Sequence, residues 1–367
     1  MPARALSTAR WALLAVMADA RKAAQDRFMP PWMTYASDPN PHPHHYRDSM
    51  RSLQEIARNA AASHVIQQMA TEEQRETYFN KMLNMSDDEL NAMARFSYIP
   101  EPHWPIFRAV IRRQDCEFMQ RLKGFEDQLE TGDVVLMTGT SFKSKALAKS
   151  QIPFYFKAKS SHVALVHADF ICIDAMPDPG VSNRIITDVL RDVEDHWRVI
   201  RPDKITDQHR EAMQQRCAFY IEQPYRISPS KKPGKDFSYC SELARKVYQD
   251  CKVDGSHIPK DHHVIKPCDF DRIADQGKDW TDITEKVRPF VAFVREHEAI
   301  HKMISKAFID GLKLNRSRYE DRIEMIRKVR AMEKKGSITS EKANELVKQI
   351  HETEKRLHYS FWDFPRA

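Results

Sequence analysis

Three residues of this chain have the types and spacing for nucleophilic chemistry. Cys240 stands in Phe237-Ser238-Tyr239-Cys240-Ser241-Glu242-Leu243, His162 in Ser161-His162-Val163-Ala164-Leu165-Val166, and Asp174 in Ile173-Asp174-Ala175. A thiol attacks only as thiolate, so it needs a base. The base needs a polar partner that fixes its ring. Cys240 follows a turn region with Pro233 and Gly234 and opens a helical pattern. The positive end of a helix lowers a thiol pKa, and its free N–H groups can hold an oxyanion.

The elements around these residues must bring them together. His162 begins a Val-rich run, and Asp174 ends the next apolar run, twelve residues on. A hairpin turning about His167-Ala168-Asp169 sets 162 directly opposite 174, within hydrogen-bond reach for an imidazole and a carboxylate. Asp133–Met137, Val163–Val166, Phe170–Ile173 and Arg198–Arg201 read as short strands. Gln208–Glu222 and Cys240–Gln249 read as helices. The middle of the chain is therefore an α+β domain with a small antiparallel sheet.

Helical sequence flanks it. Met50–Met69 carries apolar residues near a 3.6 period, Ser86-Asp87-Asp88-Glu89 is a capping box, and Ile106–Leu122 resumes a helical pattern after Pro100, Pro102 and Pro105. On the far side Val291, Val294, Ile300, Ile304, Phe308 and Leu312 trace one stripe, continued by Ile323, Ile326 and Val329. A turn at Lys335-Gly336-Ser337 is answered by Leu346, Val347, Ile350 and Leu357, which describes a helical hairpin. The expected division is a helical extension over 1–128, the α+β domain over 129–280 and the hairpin extension over 281–367.

Composition narrows the classes. The chain has 367 residues, 41% hydrophobic and 30% charged, which excludes wholesale disorder. Its 9 glycines exclude collagen-like and most many-turned β architectures. No run reaches the roughly 18 apolar residues of a membrane-spanning helix. A net charge of +6 from 58 basic and 52 acidic side chains is met by a solvated surface, so no nucleic-acid partner is expected. The six cysteines form no Cys-x-x-Cys pair and read as free thiols. His42, His44 and His45, and the pair His262 and His263, lack zinc spacing, so no metal is expected. No Walker loop or dinucleotide fingerprint is present, and no cofactor is expected. Arg4, Arg10 and the apolar run from Trp11 to Met17 imitate a secretory signal at its short limit. A plain amphipathic helix is the favoured reading, and with it a soluble protein made in the cytoplasm.

The order of the segments resembles a known family. Gly132-Asp133-Val134-Val135-Leu136, the His162 strand, Ile173-Asp174-Ala175, Gln223-Pro224-Tyr225 and Tyr239-Cys240-Ser241-Glu242-Leu243 follow one another as in circularly permuted papain-like cysteine hydrolases. These are NlpC-type enzymes of the YiiX/YebB-like group, related to lecithin–retinol acyltransferase. In them the histidine strand precedes the cysteine helix. The resemblance spans roughly 129–275 and includes Ile265-Lys266-Pro267-Cys268-Asp269-Phe270. It implies a cysteine hydrolase with Cys240 as nucleophile, His162 as base and acid, and Asp174 as orienting residue. The family often has Glu or His at that third position, so Asp is a departure. Tyr225, Tyr239 and Ser161 would lie at the substrate cleft. The implied substrate is an acyl compound of peptide, protein or lipid type, with an amide first. The rival class is a non-catalytic interaction protein whose helical extensions hold a protein partner. The extensions would also suit an effector delivered by a specialised secretion route.

Overall fold

The computed structural model describes residues 72–228, 234 and 236–356. The expected N-terminal helix, the Met50–Met69 helix, the loop with His42, His44 and His45, residues 229–233 and 235 of the loop before Cys240, and Leu357 lie outside the described residues. The described residues divide into two compact units. One comprises 120–302, the other 72–119 together with 303–356.

The helical unit begins with α1 (Glu72–Leu83) and α2 (Asp87–Phe96). The capping box forms: Glu89 N–H donates to Ser86 Oγ, and Ser86 N–H donates to Glu89 Oε2 at 2.9 Å. Beyond the prolines the expected single helix is two, α3 (Trp104–Ile111) and α4 (Glu117–Lys123). The break has a local cause. Arg112-Arg113-Gln114-Asp115 offers no apolar side chain to bury, and Arg113 turns the chain with a φ of 56°. Leu90, Met93, Phe107 and Ile111 are buried in this unit.

The sheet unit contains, in chain order, β1 (Val134–Met137), α5 (Phe142–Ser150), β2 (His162–Ala168), β3 (Ile171–Met176), β4 (Gly180–Ile185), α6 (Ile186–Val189) and β5 (Arg198–Pro202). It continues with α7 (Asp207–Tyr220), α8 (Cys240–Asp250), α9 (Pro267–Gln276), β6 (Trp280–Asp282) and α10 (Thr284–Glu296). The six strands form one open antiparallel sheet in the order β4-β3-β2-β1-β5-β6. The architecture is α+β. Helices α7 and α8 pack on each other and on β2, and α8 also meets β3. Helix α8 is buried from Cys240 to Tyr248, with Leu243, Ala244, Val247 and Tyr248 as its apolar part. Tyr248 O–H donates to Gly132 C=O at 2.5 Å, tying the helix to the approach to β1.

The hairpin register differs from expectation. Leu165 pairs with Ile173 and Val166 with Cys172, and a bulge between Val166 and Ala168 shifts the ladder. Asp169 turns the chain at a φ of 48°. Carried toward the start of β2, this register sets Ala164 opposite Asp174 and His162 opposite Met176. His162 and Asp174 are diagonal neighbours, not direct ones. The slip is two residues, and a slip of two preserves the face.

The long helix α11 (Glu298–Lys334) and α12 (Ser340–Arg356) follow, joined by a turn at Gly336. The stripe is buried at Val291, Val294, Ile300, Ile304, Phe308 and Leu312. It then surfaces, with Ile323 exposed and Ile326 and Val329 half-buried.

Candidate active site

Cys240 is the first residue of α8. Tyr239 precedes it in extended conformation and supplies no side-chain cap, and among the described residues no side chain caps the first N–H groups of the helix. The helix docks on β2, where His162 is the first residue. The far side of His162 meets β3: its Nε2 lies 2.8 Å from Asp174 Oδ2. Cys240 is a charge partner of the ring, and each group shifts the titration of the other. The structure thus brings Cys240, His162 and Asp174 into one neighbourhood, with Cys240 8% and Asp174 0% exposed.

A fourth residue extends the chain. Arg184, on β4, donates from Nε to Asp174 Oδ1 at 3.3 Å and from Nη2 to Oδ2. The β3–β4 register explains it. Asp174 pairs with Ser182, so Arg184 stands two residues along on the same face. Nothing in the run Val181-Ser182-Asn183-Arg184 marks this role, and β4 was not foreseen as a strand.

The electrostatics follow from these partners. Burial pulls the His162 pKa down, but the Cys240 thiolate and Asp174 outweigh it and raise the pKa to about 10. Burial opposes a charge on Cys240. The imidazolium, the Val163 N–H and the Ser241 hydroxyl, 3.7 Å from Sγ, favour it and lower the pKa overall. Burial also opposes ionisation of Asp174, yet His162 and Arg184 hold its pKa below the usual carboxylate value. The arrangement is a thiolate–imidazolium pair backed by an ionised carboxylate. The other buried thiols go the opposite way. Burial raises Cys172 and Cys217 out of the titrating range, Cys251 to about 12 and Cys268 to about 11. All six cysteines are free.

Glu242 lies in the first turn of α8, where its charge would oppose the thiolate. It is buried and ion-paired with Arg245, which is itself buried and donates to His262 C=O at 2.7 Å. Its charge beside the thiolate is thereby cancelled. An internal guanidinium three residues on, not water, removes the conflict.

Tyr225 is half-buried, and its hydroxyl is pushed up to about 12 by burial and by the charge of Cys240. It stands in a loop fastened to the approach of α8. Tyr225 bridges Ser238, and Ser238 N–H donates to Pro224 C=O at 3.1 Å. Lys246 Nζ donates to Phe237 C=O at 2.7 Å, Ser238 Oγ at 2.9 Å and Gln223 Oε1 at 3.1 Å. Burial lowers the pKa of this lysine to about 8. Tyr239 and Ser161 are placed differently from Tyr225. Tyr239 is buried, and its hydroxyl accepts from Ile265 N–H at 3.0 Å, so it fixes the loop before α9. Ser161 is also buried, and its N–H donates to Met137 C=O at 2.9 Å.

Among the described residues no three His, Cys, Asp or Glu side chains cluster as a metal site, and no helix is long and apolar enough to cross a membrane. No protein-family profile and no curated protein matches the chain. Among solved structures it is similar to the metalloprotein yiiX from Escherichia coli O157:H7. That likeness has 22% sequence identity and a TM-score of 0.30, and covers 38% of this chain and 91% of the other.

Proposed function

We propose that residues 129–280 form a permuted papain-like, NlpC-type cysteine hydrolase working through an acyl-enzyme. The observation that carries the reading is a His162 ring whose Nε2 is held 2.8 Å from Asp174 and whose charge is coupled to that of Cys240, at a helix N-terminus. The thiolate attacks a carbonyl carbon and forms the C–S bond. The oxyanion takes hydrogen bonds from the free N–H groups at the start of α8 and from the Tyr225 hydroxyl. His162 Nδ1 gives its proton to the leaving amine or alcohol as the tetrahedral intermediate collapses. The neutral ring then takes a proton from water, which attacks the thioester; the carboxylic acid is released and the thiolate–imidazolium pair is restored. Asp174 and Arg184 keep Nε2 protonated and the ring in place throughout.

The first substrate class is an amide, in a cell-wall peptide or a protein. A second, the ester or thioester of an acyl lipid, is favoured by the exposed apolar side chains of Phe142, Leu147, Ile152, Phe154 and Phe156 in the segment leading to His162. Wild-type protein and Cys240→Ala, incubated with peptidoglycan fragments, acyl lipids and model proteins and read by mass spectrometry, separate these classes. The expected result is a product in one class from the wild type alone, with a transient acyl mass on the residue 240 peptide. Equal product from both proteins would remove Cys240 from the chemistry.

A further inference from the structure

The connection from β1 to β2, residues 139–160, carries a surface unlike the rest of the sheet unit. Phe142 is 85% exposed, Phe156 74%, Phe154 57%, Leu147 51% and Ile152 46%. Half of the exposed large apolar side chains among the described residues fall in this one stretch. Among them stand Lys143, Lys145 and Lys149, just after them Lys157 and Lys159, and the stretch contains no Asp, Glu or Arg. Lys145 pairs with Glu194 at 2.7 Å. Lys143, Lys149 and Lys157 are exposed and make no ion pair with a described acid. Neighbouring cations extend the patch: Lys266 Nζ lies 4.0 Å from the centre of the Phe154 ring, and Arg272 covers Tyr155. The acids behind it are engaged. Asp271 accepts from the N–H groups of Lys159 and Ser160, and Asp275 accepts from Tyr155 O–H and Arg198.

The surface is also held in shape. Gln151, buried, donates from Nε2 to Leu147 C=O and to Ser160 C=O, and accepts from Cys268 N–H at 2.9 Å. Rings this exposed cost hydration free energy in water, and monomeric proteins rarely group them without a partner. An anionic bilayer suits both halves of the patch, with acyl chains for the rings and lipid phosphates for the lysines. Bases on a nucleic acid would leave Leu147 and Ile152 without a stacking partner. A protein interface is typically enriched in Arg, which the stretch lacks.

We propose that residues 142–157 are a membrane-docking surface that seats this domain on an anionic lipid bilayer. The segment ends five residues before His162, so docking brings the thiolate pair close to the lipid. Docking itself does not depend on the hydrolase reading.

Full-length wild type and Cys240→Ala are sedimented with vesicles of phosphatidylcholine alone and of phosphatidylcholine with phosphatidylglycerol. Both proteins should pellet with the anionic vesicles, less as salt is added, and stay in solution with phosphatidylcholine alone. The pair Phe154→Ser/Phe156→Ser and the pair Lys149→Glu/Lys157→Glu should each weaken anionic binding by about tenfold or more at an unchanged melting temperature. Absence of binding to anionic vesicles overturns the proposal, and so does binding that neither pair weakens. A wild type that is dimeric and becomes monomeric in the Phe variant, without vesicle binding, would assign the patch to a second copy of the chain instead.

Discussion

Arg184 donates to both carboxylate oxygens of Asp174, from the strand on the opposite side of Asp174 from His162. A carboxylate with no exposure to water is costly to ionise, and this guanidinium offsets much of that cost. Asp174 can therefore hold its charge toward His162.

Arg184→Gln is expected to leave Asp174 buried with one cationic partner in place of two. The imidazolium loses support, and with it the thiolate. Alkylation of Cys240 at about pH 6 should slow by about tenfold, a step of about 1.4 kcal/mol. Timed labelling read by intact mass checks this, and an unchanged rate would leave Arg184 as a surface tie only.

The thiolate pair also sets a pH window. Cys240 is depressed, so the thiolate is present down to its lowered pKa. His162 is raised to about 10, so the imidazolium persists up to there. Alkylation of Cys240 should be fast already at about pH 6, where an ordinary thiol with a pKa near 8.5 hardly reacts. His162→Ala should move that reactivity to alkaline pH and reduce turnover by at least about 10²-fold. Asp174→Ala should cost less, because it only orients the ring. If Cys240 titrates as a free thiol and His162→Ala changes neither rate, the acyl-enzyme mechanism falls.

Gly180 predicts a coupling between stability and the Tyr225 loop. Its φ is 65°, and a Cβ there would stand 2.3 Å from the Gln223 carbonyl oxygen. Gly180→Ala must displace Gln223-Pro224-Tyr225 or strain β4. A loss of about 2 kcal/mol or more is expected from denaturant unfolding. A variant as stable as the wild type would show that this loop moves freely.

His167 gives an acid-side test. It is buried, with Nε2 3.0 Å from Gln214 C=O and Nδ1 2.9 Å from Asn183 Nδ2, and burial lowers its pKa to about 4. Between about 4 and 6.5 the unfolded chain holds a proton there that the native ring refuses. Stability therefore falls as pH drops through that window, by on the order of 1.4 kcal/mol per pH unit at most. Asp169, raised to about 6 by burial and by Asp127, acts with the opposite sign. It remains in both proteins, so His167→Gln isolates the histidine. The variant should lose less stability than wild type between neutral pH and about pH 4, as measured by urea midpoints. Parallel losses would place the acid sensitivity elsewhere.

Much of the site geometry could be read from residue types. His162 and Asp174 were read as sharing a face, and a shared face survives a two-residue error in register. The error arises at the turn, which sets Ala168 against Ile171; the bulge at His167 takes back one residue of it and leaves no signature, because His167 bonds to Asn183 and Gln214, partners distant in sequence. β4 and β6 were missed for a related reason. Gly180–Ile185 is half polar, and its Ser182 and Asn183 are buried and Arg184 half-buried only because each finds a place in the fold. Glu242 shows the same limit. An acid in the first turn of a helix looks solvent-bound until Arg245 is seen to be buried with it.

Docking of α8 on β2 has a further use. The depressed pKa of Cys240 exists only when this helix has found the strand that carries His162, a contact between distant parts of the chain. The buried thiols of Cys172, Cys217, Cys251 and Cys268 are driven the other way by the same folding event. In an unfolded chain these thiols return to near-equal reactivity. A brief pulse of alkylating agent at mildly acid pH would mark residue 240 in assembled molecules and leave unassembled ones unmarked. The chain thus carries its own chemical clock for the moment at which its two halves of the site meet.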